Sequence, residues 1–299
     1  MDLSTFIVTV YCLVEDELRG QPRLRQRGHA PALSDGEVLT MEIVGEYLGI
    51  DTDTGLYRYF RRPYGAWFPA LRRIDRSTFA RQAANLWAVK GALWQAVGNQ
   101  IAHDPALSIV DSFPMPVCRF ARARRCRRLR EESAYGHEHA DRQTFYGLRA
   151  HVRVCWPGVL VCASLAPANA DEMVVAEQEL LGEAQGWVLG DRNYWRPAAQ
   201  ARLRERGVAL LAPYKWASRE PHPWPQWLTD LRRRVETVIG QLTERYQAKK
   251  VWARDAWHLL ARWLRKVLSH TVAVLLCQRA GLPPLAFDQL VACDTPAEP

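Results

Sequence analysis

The sequence predicts a mixed α/β domain behind a small all-helical one. Three observations carry this. Over the first hundred residues the apolar side chains recur with helical spacing. After residue 100, short apolar runs of strand length alternate with helical stretches. Two of those runs lead straight into an aspartate, in Ile109-Val110-Asp111 and in Leu189-Gly190-Asp191.

The helical part opens with the apolar stretch Phe6–Val14, read as a short core helix. Asp2 precedes it and Glu15-Asp16-Glu17 follow, so it lacks the basic flank of a secretory signal. Ser34-Asp35-Gly36-Glu37 has the spacing of a capping box and predicts a helix over 38–48. Ser77 is placed to cap a helix over 78–97, with Phe79, Ala83, Leu86, Trp87 and Leu93 on its buried stripe. Between them, Tyr57-Arg58-Tyr59-Phe60-Arg61-Arg62-Pro63-Tyr64 interleaves aromatic and basic residues. That mixture fits nucleic-acid contact through Arg61 and Arg62, and fits equally a segment packed by its own aromatics.

Beyond residue 100, Leu107–Val110 reads as a strand. From Phe145 to Cys155, Tyr146, Leu148, Ala150, Val152 and Val154 share one face, with Arg149, His151 and Arg153 on the other. Val159–Leu165 is a strand, 171–181 a helix, Trp187–Gly190 a strand, 197–206 a helix and 208–212 a strand. Residues 226–247 form an amphipathic helix with Leu228, Leu231, Val235, Ile239, Leu242 and Tyr246 inward. Glu236 lies at the edge of that stripe, in line with Arg232. Gly240, one turn on, leaves the same face bare.

The 299 residues are 48% hydrophobic and 24% charged with a net charge of +8, which excludes a disordered chain and a disulfide miniprotein. Of the 40 basic residues, 35 are Arg. Their placement says more than their number. Residues 112–153 hold ten basic and four acidic residues, and 232–266 hold ten and three, so everything outside these blocks is slightly acidic. Seven of the Arg fall within Arg119–Arg130. Such blocks point to a polyanionic partner. The seven Cys make no regular framework, which predicts reduced thiols in a cytoplasmic, non-membrane protein. A Cys₂His₂ zinc site from Cys118, Cys126, His137 and His139 is a weaker alternative, since the spacing matches no standard finger. No Walker loop, GxSxG or dinucleotide fingerprint is present, which removes ATP-dependent and serine-hydrolase chemistry.

If the two Asp-terminated strands are parallel neighbours, Asp111 and Asp191 project into one crevice. There a divalent cation is the natural bridge between carboxylates that otherwise repel. With Glu236 on its helix, the ordered set resembles a DDE transposase, and more narrowly the bacterial insertion-sequence 982 family. The carrying segments include LSDGEVLTMEIVGEYLGI (33–50), Tyr59-Phe60-Arg61-Arg62, Asp111-Ser112-Phe113-Pro114, Phe145-Tyr146-Gly147, Pro167-Ala168-Asn169, Gly190-Asp191-Arg192-Asn193-Tyr194 and Gln241–Tyr246, spread over about residues 30–270.

The resemblance implies a ribonuclease-H-like mixed sheet flanked by helices. It also implies a helical DNA-binding domain over 1–100, a catalytic domain over 101–280 and a C-terminal tail over 281–299. Asp111, Asp191 and Glu236 would hold two divalent ions, Mg²⁺ or in its place Mn²⁺, for cutting and joining double-stranded DNA at element ends and target, with a homodimer on the DNA. The family's phosphate clamp on the last catalytic helix is matched by Arg232. Thr229 and Thr243 stand where Tyr and Lys are usual, so Arg245, Lys249 and Lys250 are expected to substitute. Arg119, Arg122, Arg124, Arg125 and Arg192 are expected on the DNA backbone. Trp195 reads either as an aromatic for an unstacked base or as a core tryptophan. Two other readings stay open: a stand-alone nuclease of this fold, and a non-catalytic DNA-binding relic.

Overall fold

The computed structural model describes residues 1–19, 30–138, 142–215 and 223–292. The chain divides into two compact units. One comprises Met1–Ile101, Glu244–Gln247 and Trp257–Pro299; the other comprises Ala102–Thr243 and Ala248–Ala256. The first division between the units falls between Ile101 and Ala102. The stretch after it is not continuous, because the chain returns to the first unit twice.

In the helical unit, α1 (Leu3–Arg19), α2 (Asp35–Tyr47), α3 (Asp53–Arg61), α4 (Arg76–Asn85) and α5 (Trp87–Gly98) are joined by the long α9 (Ala256–Arg279) and the short α10 (Phe287–Leu290). The predicted capping box is present in both directions: Glu37 N–H donates to Ser34 Oγ at 3.0 Å, and Ser34 N–H to Glu37 Oε2 at 2.6 Å. The helix predicted over 78–97 is instead two. It breaks at Leu86, which closes α4 and opens α5 with no glycine or proline to announce it, and Asp75 rather than Ser77 precedes α4. The aromatic and basic segment forms α3 and the turn after it. Tyr57 and Phe60 are buried, and Phe60 stacks with Tyr59, Tyr64 and Phe68.

Charge lies at the centre of this unit. Lys90 Nζ sits 2.7 Å from Glu42 Oε1, Arg265 Nε 2.6 Å from Glu46 Oε1, and Lys266 Nζ 2.9 Å from Glu46 Oε2. Asp53 pairs with both Arg262 and Arg265. Glu42, Glu46, Lys90, Arg265 and Lys266 are all buried. Part of the 232–266 block is therefore not offered to a polyanionic partner, since Arg262, Arg265 and Lys266 pair with carboxylates inside this unit. The same pairing explains why α9 packs within this unit. Residues 281–292 are likewise no tail: Phe287 and Leu290 are buried, and Phe287 lies against Tyr47 and His270. Among the described residues no helix is long and apolar enough to cross a membrane.

The second unit is built on one six-stranded sheet of β1 (Asp104–Pro116), β2 (Ala134–Glu138), β3 (Gln143–Trp156), β4 (Val159–Pro167), β5 (Gly186–Leu189) and β6 (Val208–Leu211). The order is β2-β3-β1-β5-β6, with β4 also on β3. β3 runs antiparallel to β1, β2 and β4, while β1, β5 and β6 are mutually parallel. Strand β2 escapes the sequence pattern. The polar face of β3 is no solvent face, for Arg149, His151 and Arg153 are all buried. Burial, then the nearby Arg149 charge, pushes the His151 imidazole down to about 4, so it is neutral at pH 7.

Gly147 is required here, because a Cβ would meet the Met115 carbonyl oxygen at 2.3 Å, where β1 and β3 cross closely. On one side of the sheet, Val110, Val188, Leu210, Tyr194 and Leu203 of α7 (Pro197–Glu205) share a core with α6 (Glu172–Val175) and its π-helical extension Ala176–Leu180. Helix α8 (Gln226–Glu244) buries Leu228, Val235, Val238 and Leu242.

Breaking the buried ionic cluster on one side leaves uncompensated charge in a dry interior. Glu46→Gln, which strips the carboxylate from Arg265 and Lys266, is expected to cost about 3–5 kcal/mol. The expected readout is a lower urea midpoint with unchanged far-UV circular dichroism in water.

Candidate active site

The site begins with strand register. Ile109 of β1 lies opposite Leu189 of β5 in the parallel ladder. Asp111 and Asp191, each two residues on, are therefore carried level with one another. Contrary to expectation, β1 does not end at Asp111. It continues to Pro116, with Asp111 opposite Val152, because β3 supplies a partner along that whole length. β5 does end, at Leu189. Gly190 N–H donates to the Leu211 carbonyl at 2.9 Å, and the chain turns into a 3₁₀ helix, Arg192–Tyr194. A Cβ at Gly190 would lie 2.8 Å from Tyr194 Cβ, so only glycine lets this turn close on the buried tyrosine.

Each aspartate is fixed by one backbone N–H: Ser112 donates to Asp111 Oδ1 at 2.8 Å, and Asn193 to Asp191 Oδ1 at 2.8 Å. Arg232 of α8 approaches Asp111 Oδ2 at 4.0 Å. Burial above all, then the Asp191 charge, pushes the Asp111 carboxyl up to about 7. The Ser112 bond and Arg232 oppose this, and Glu172 adds to it.

Glu172 was not foreseen. It is the first residue of α6, whose N-cap Asp171 accepts from Met173 and Val174 N–H. Its carboxyl is raised by burial, lowered by Arg149 and raised again by Asp191. A continuous polar chain results. Asn193 Nδ2 donates at 3.4 Å to both Asp191 Oδ2 and Glu172 Oε2, and Arg149 reaches Glu172 Oε1 at 3.3 Å, Glu138 Oε2 at 3.3 Å and Ser112 Oγ at 3.1 Å. Tyr194 lies beneath, its hydroxyl held well above the ordinary range by burial and then by Glu172, Asp111 and Asp191. The only sequence signal for Glu172 is its place just after Pro167-Ala168-Asn169, a turn opening a helix.

Glu236 is exposed on α8, one turn from Arg232, and a Cβ at Gly240 beyond it would meet no atom. Asp111 and Asp191 thus lie in each other's field with Arg232 beside Asp111, and the further acid near them is the half-buried Glu172. Among the described residues no group of three or more His, Cys, Asp or Glu is arranged to hold a metal ion. That includes the zinc alternative. Cys118 and Cys126 neighbour each other, the Cys118 thiol being raised by burial and a hydrogen bond with Cys126. His137 faces Thr144, and His139 lies outside the described residues.

Of the predicted DNA contacts, Arg119, Arg122, Lys249 and Lys250 line one cavity, and Arg124 and Arg125 are exposed on the 3₁₀ helix Phe120–Arg125. Others are used internally. Arg61 lies over the Tyr57 ring with Nη1 3.3 Å from its hydroxyl, while Arg62 is exposed. Arg192 donates to the Tyr214 carbonyl at 3.3 Å. Trp195 packs edge-on against Tyr214 and on the core, which favours its structural reading. Arg245 stands over Tyr47, donates to its carbonyl and pairs with Asp288, so it belongs to the helical unit.

A mixed sheet that carries Asp111 within β1 and delivers Asp191 just past the end of the parallel β5 defines the class: an α/β protein with a carboxylate pair beside its parallel strands. The sequence profile described as Transposase DDE domain matches residues 102–255, just over half of the chain, and the chain belongs to that family. A piggyBac transposase synaptic complex with hairpin DNA, solved by cryo-EM, aligns at a TM-score of 0.49 with 9% identity, over 95% of this chain and 76% of that one. The fold assignment rests on the sheet and not on this likeness. No curated protein matches the sequence.

Because the folded protein keeps the Asp111 proton to about pH 7, while an unfolded aspartate loses it near pH 4, stability falls as pH rises between those values. Asp111→Asn removes that slope. At pH 8 the variant is expected to exceed wild type in unfolding free energy by something on the order of 2 kcal/mol, and at pH 4 to match it, in metal-free urea titrations.

Proposed function

We propose that this transposase-family protein cuts DNA at the ends of an insertion sequence and joins the freed ends to a target in a divalent-metal-dependent reaction. On this reading the second unit is its ribonuclease-H-like catalytic domain. The observation that carries the proposal is the parallel register that sets Asp111 level with Asp191, leaving two carboxylates in each other's field. The strand order β4-β3-β1-β5-β6, antiparallel on one side and parallel on the other, supports the ribonuclease-H-like reading.

The donor set fits a hard divalent cation. Burial above all, then Asp191, raises the Asp111 carboxyl against one N–H and Arg232 at 4.0 Å, and oxygen donors in that state suit Mg²⁺ or Mn²⁺. Asp111 and Asp191, joined by Glu236 from α8, would hold two such ions. These would supply activation of the attacking water or 3′-hydroxyl and stabilisation of the leaving oxygen. The chain's own residues do the positioning: the Ser112 and Asn193 N–H groups hold Oδ1 of Asp111 and of Asp191, and Arg232 and Arg149 keep the acidic pocket from excess charge. The helical unit and the Arg119–Arg130 block take the flanking double-stranded DNA.

The test uses purified full-length chain with Mg²⁺ and duplexes carrying the inverted repeats that flank its gene. Wild type is expected to cleave and join ends. Asp111→Asn, Asp191→Asn and Glu236→Gln should each reduce the rate by about 10³ or more while leaving metal-free DNA binding within about twofold. Cleavage without joining would leave a stand-alone nuclease. Tight binding with no Mg²⁺-dependent cleavage would leave a DNA-binding relic, and full activity in Glu236→Gln would pass the third-acid role to Glu172.

A further inference from the structure

Arg149 stands midway along β3 and is only 8% exposed. Each of its terminal nitrogens faces two oxygens. Nη1 lies 3.1 Å from Ser112 Oγ and 3.3 Å from Glu172 Oε1; Nη2 lies 3.1 Å from the His137 carbonyl and 3.3 Å from Glu138 Oε2. One guanidinium thus ties β3 to β1, to β2 and to the first residue of α6. A buried ion cluster is often no more stabilising than apolar packing of the same volume, so its place in this sheet calls for another reason.

The reason lies in what the two partners of Nη1 hold in turn. Ser112 accepts from Arg149 through its hydroxyl and donates through its own N–H to Asp111 Oδ1 at 2.8 Å. Glu172 meets Arg149 through Oε1 and accepts from Asn193 Nδ2 at 3.4 Å through Oε2, while the Asn193 N–H donates to Asp191 Oδ1 at 2.8 Å. Both branches start at one nitrogen, and each ends on one of the two aspartates. We propose that Arg149 is a positioning residue, which sets Asp111 through Ser112 and Asp191 through Glu172 and Asn193, so that the pair is held in one arrangement before a divalent cation binds. The proposal rests on the reading of these aspartates as holders of metal. The charge of Arg149 has an opposite effect, since a cation beside an acidic site by itself opposes metal uptake. Lysine keeps that charge but offers a single nitrogen in place of the fork, which separates geometry from charge.

The experiment titrates full-length protein with Mn²⁺ and follows the free ion by its electron paramagnetic resonance signal, with far-UV circular dichroism as the control for folding. Arg149→Lys is expected to weaken Mn²⁺ binding about tenfold, and Asn193→Ala, a change at an exposed residue, by a similar factor. In the double variant the losses should overlap and fall well short of about a hundredfold, because both act on Asp191 along one route. Unchanged or tighter binding in Arg149→Lys overturns the proposal and leaves Arg149 as a charge alone; losses that multiply in full overturn it as well. Should Arg149→Lys not fold, Asn193→Ala and Ser112→Ala decide: weaker Mn²⁺ binding in both supports the proposal, and unaltered binding in either overturns it. The metal reading fails separately. If wild type and Asp111→Asn take up Mn²⁺ equally, or neither does, that reading falls and this proposal with it, whereas a loss confined to Asp111→Asn overturns the proposal alone.

Discussion

The parallel pairing of β1 with β5 is the constraint on which the candidate site depends. Only three residue pairs make up that ladder, yet it decides which side chains meet. A slip of one residue would turn either Asp111 or Asp191 to the opposite face of the sheet, because side chains alternate with a period of two. Neighbouring features guard against the slip. β1 is held on its other edge by a long antiparallel run on β3, and β5 is held by β6 and by the Gly190 bond to Leu211. Val110 and Val188 bury the face behind the aspartates.

Two kinds of basic residue emerge from what the composition presents as one. Arg119, Arg122, Lys249 and Lys250 converge on an open cavity, so charge separated in sequence becomes one electropositive surface. Arg262, Arg265 and Lys266 point instead into the helical unit, where Glu42, Glu46 and Asp53 balance them. The formal net charge therefore overstates neither partner binding nor stability by itself. Its meaning depends on where each cation lies in the fold.

Much of the fold was legible because its signals are local. The strand Gly186–Leu189, the capping box at Ser34 and the amphipathic period of α8 each depend on a few adjacent residues, and each appears in the structure. What stayed hidden depends on tertiary partners. β3 is covered on both faces, so its Arg and His positions imitate a solvent face while being interior. Glu172 gains its place beside Asp191 from Arg149 on β3 and from the turn at Asn193, neither of which a spacing rule connects. Glu236 shows the converse: its helical phase was read from the stripe around Val235, but phase does not tell how far an acid at the stripe's edge reaches inward.

The ionic centre of the helical unit also shapes how such a sequence can drift. Lys90, Arg265 and Lys266 with Glu42 and Glu46 sit where most proteins place leucine and valine. A matched apolar set of similar volume can be as stable as a buried ion cluster, whereas any half-exchanged intermediate strands a charge. The shortest mutational route between the two solutions thus passes through destabilised variants. These five positions should pass between related chains as an inherited block, so that a homologue lacking one of the charges lacks its partner too.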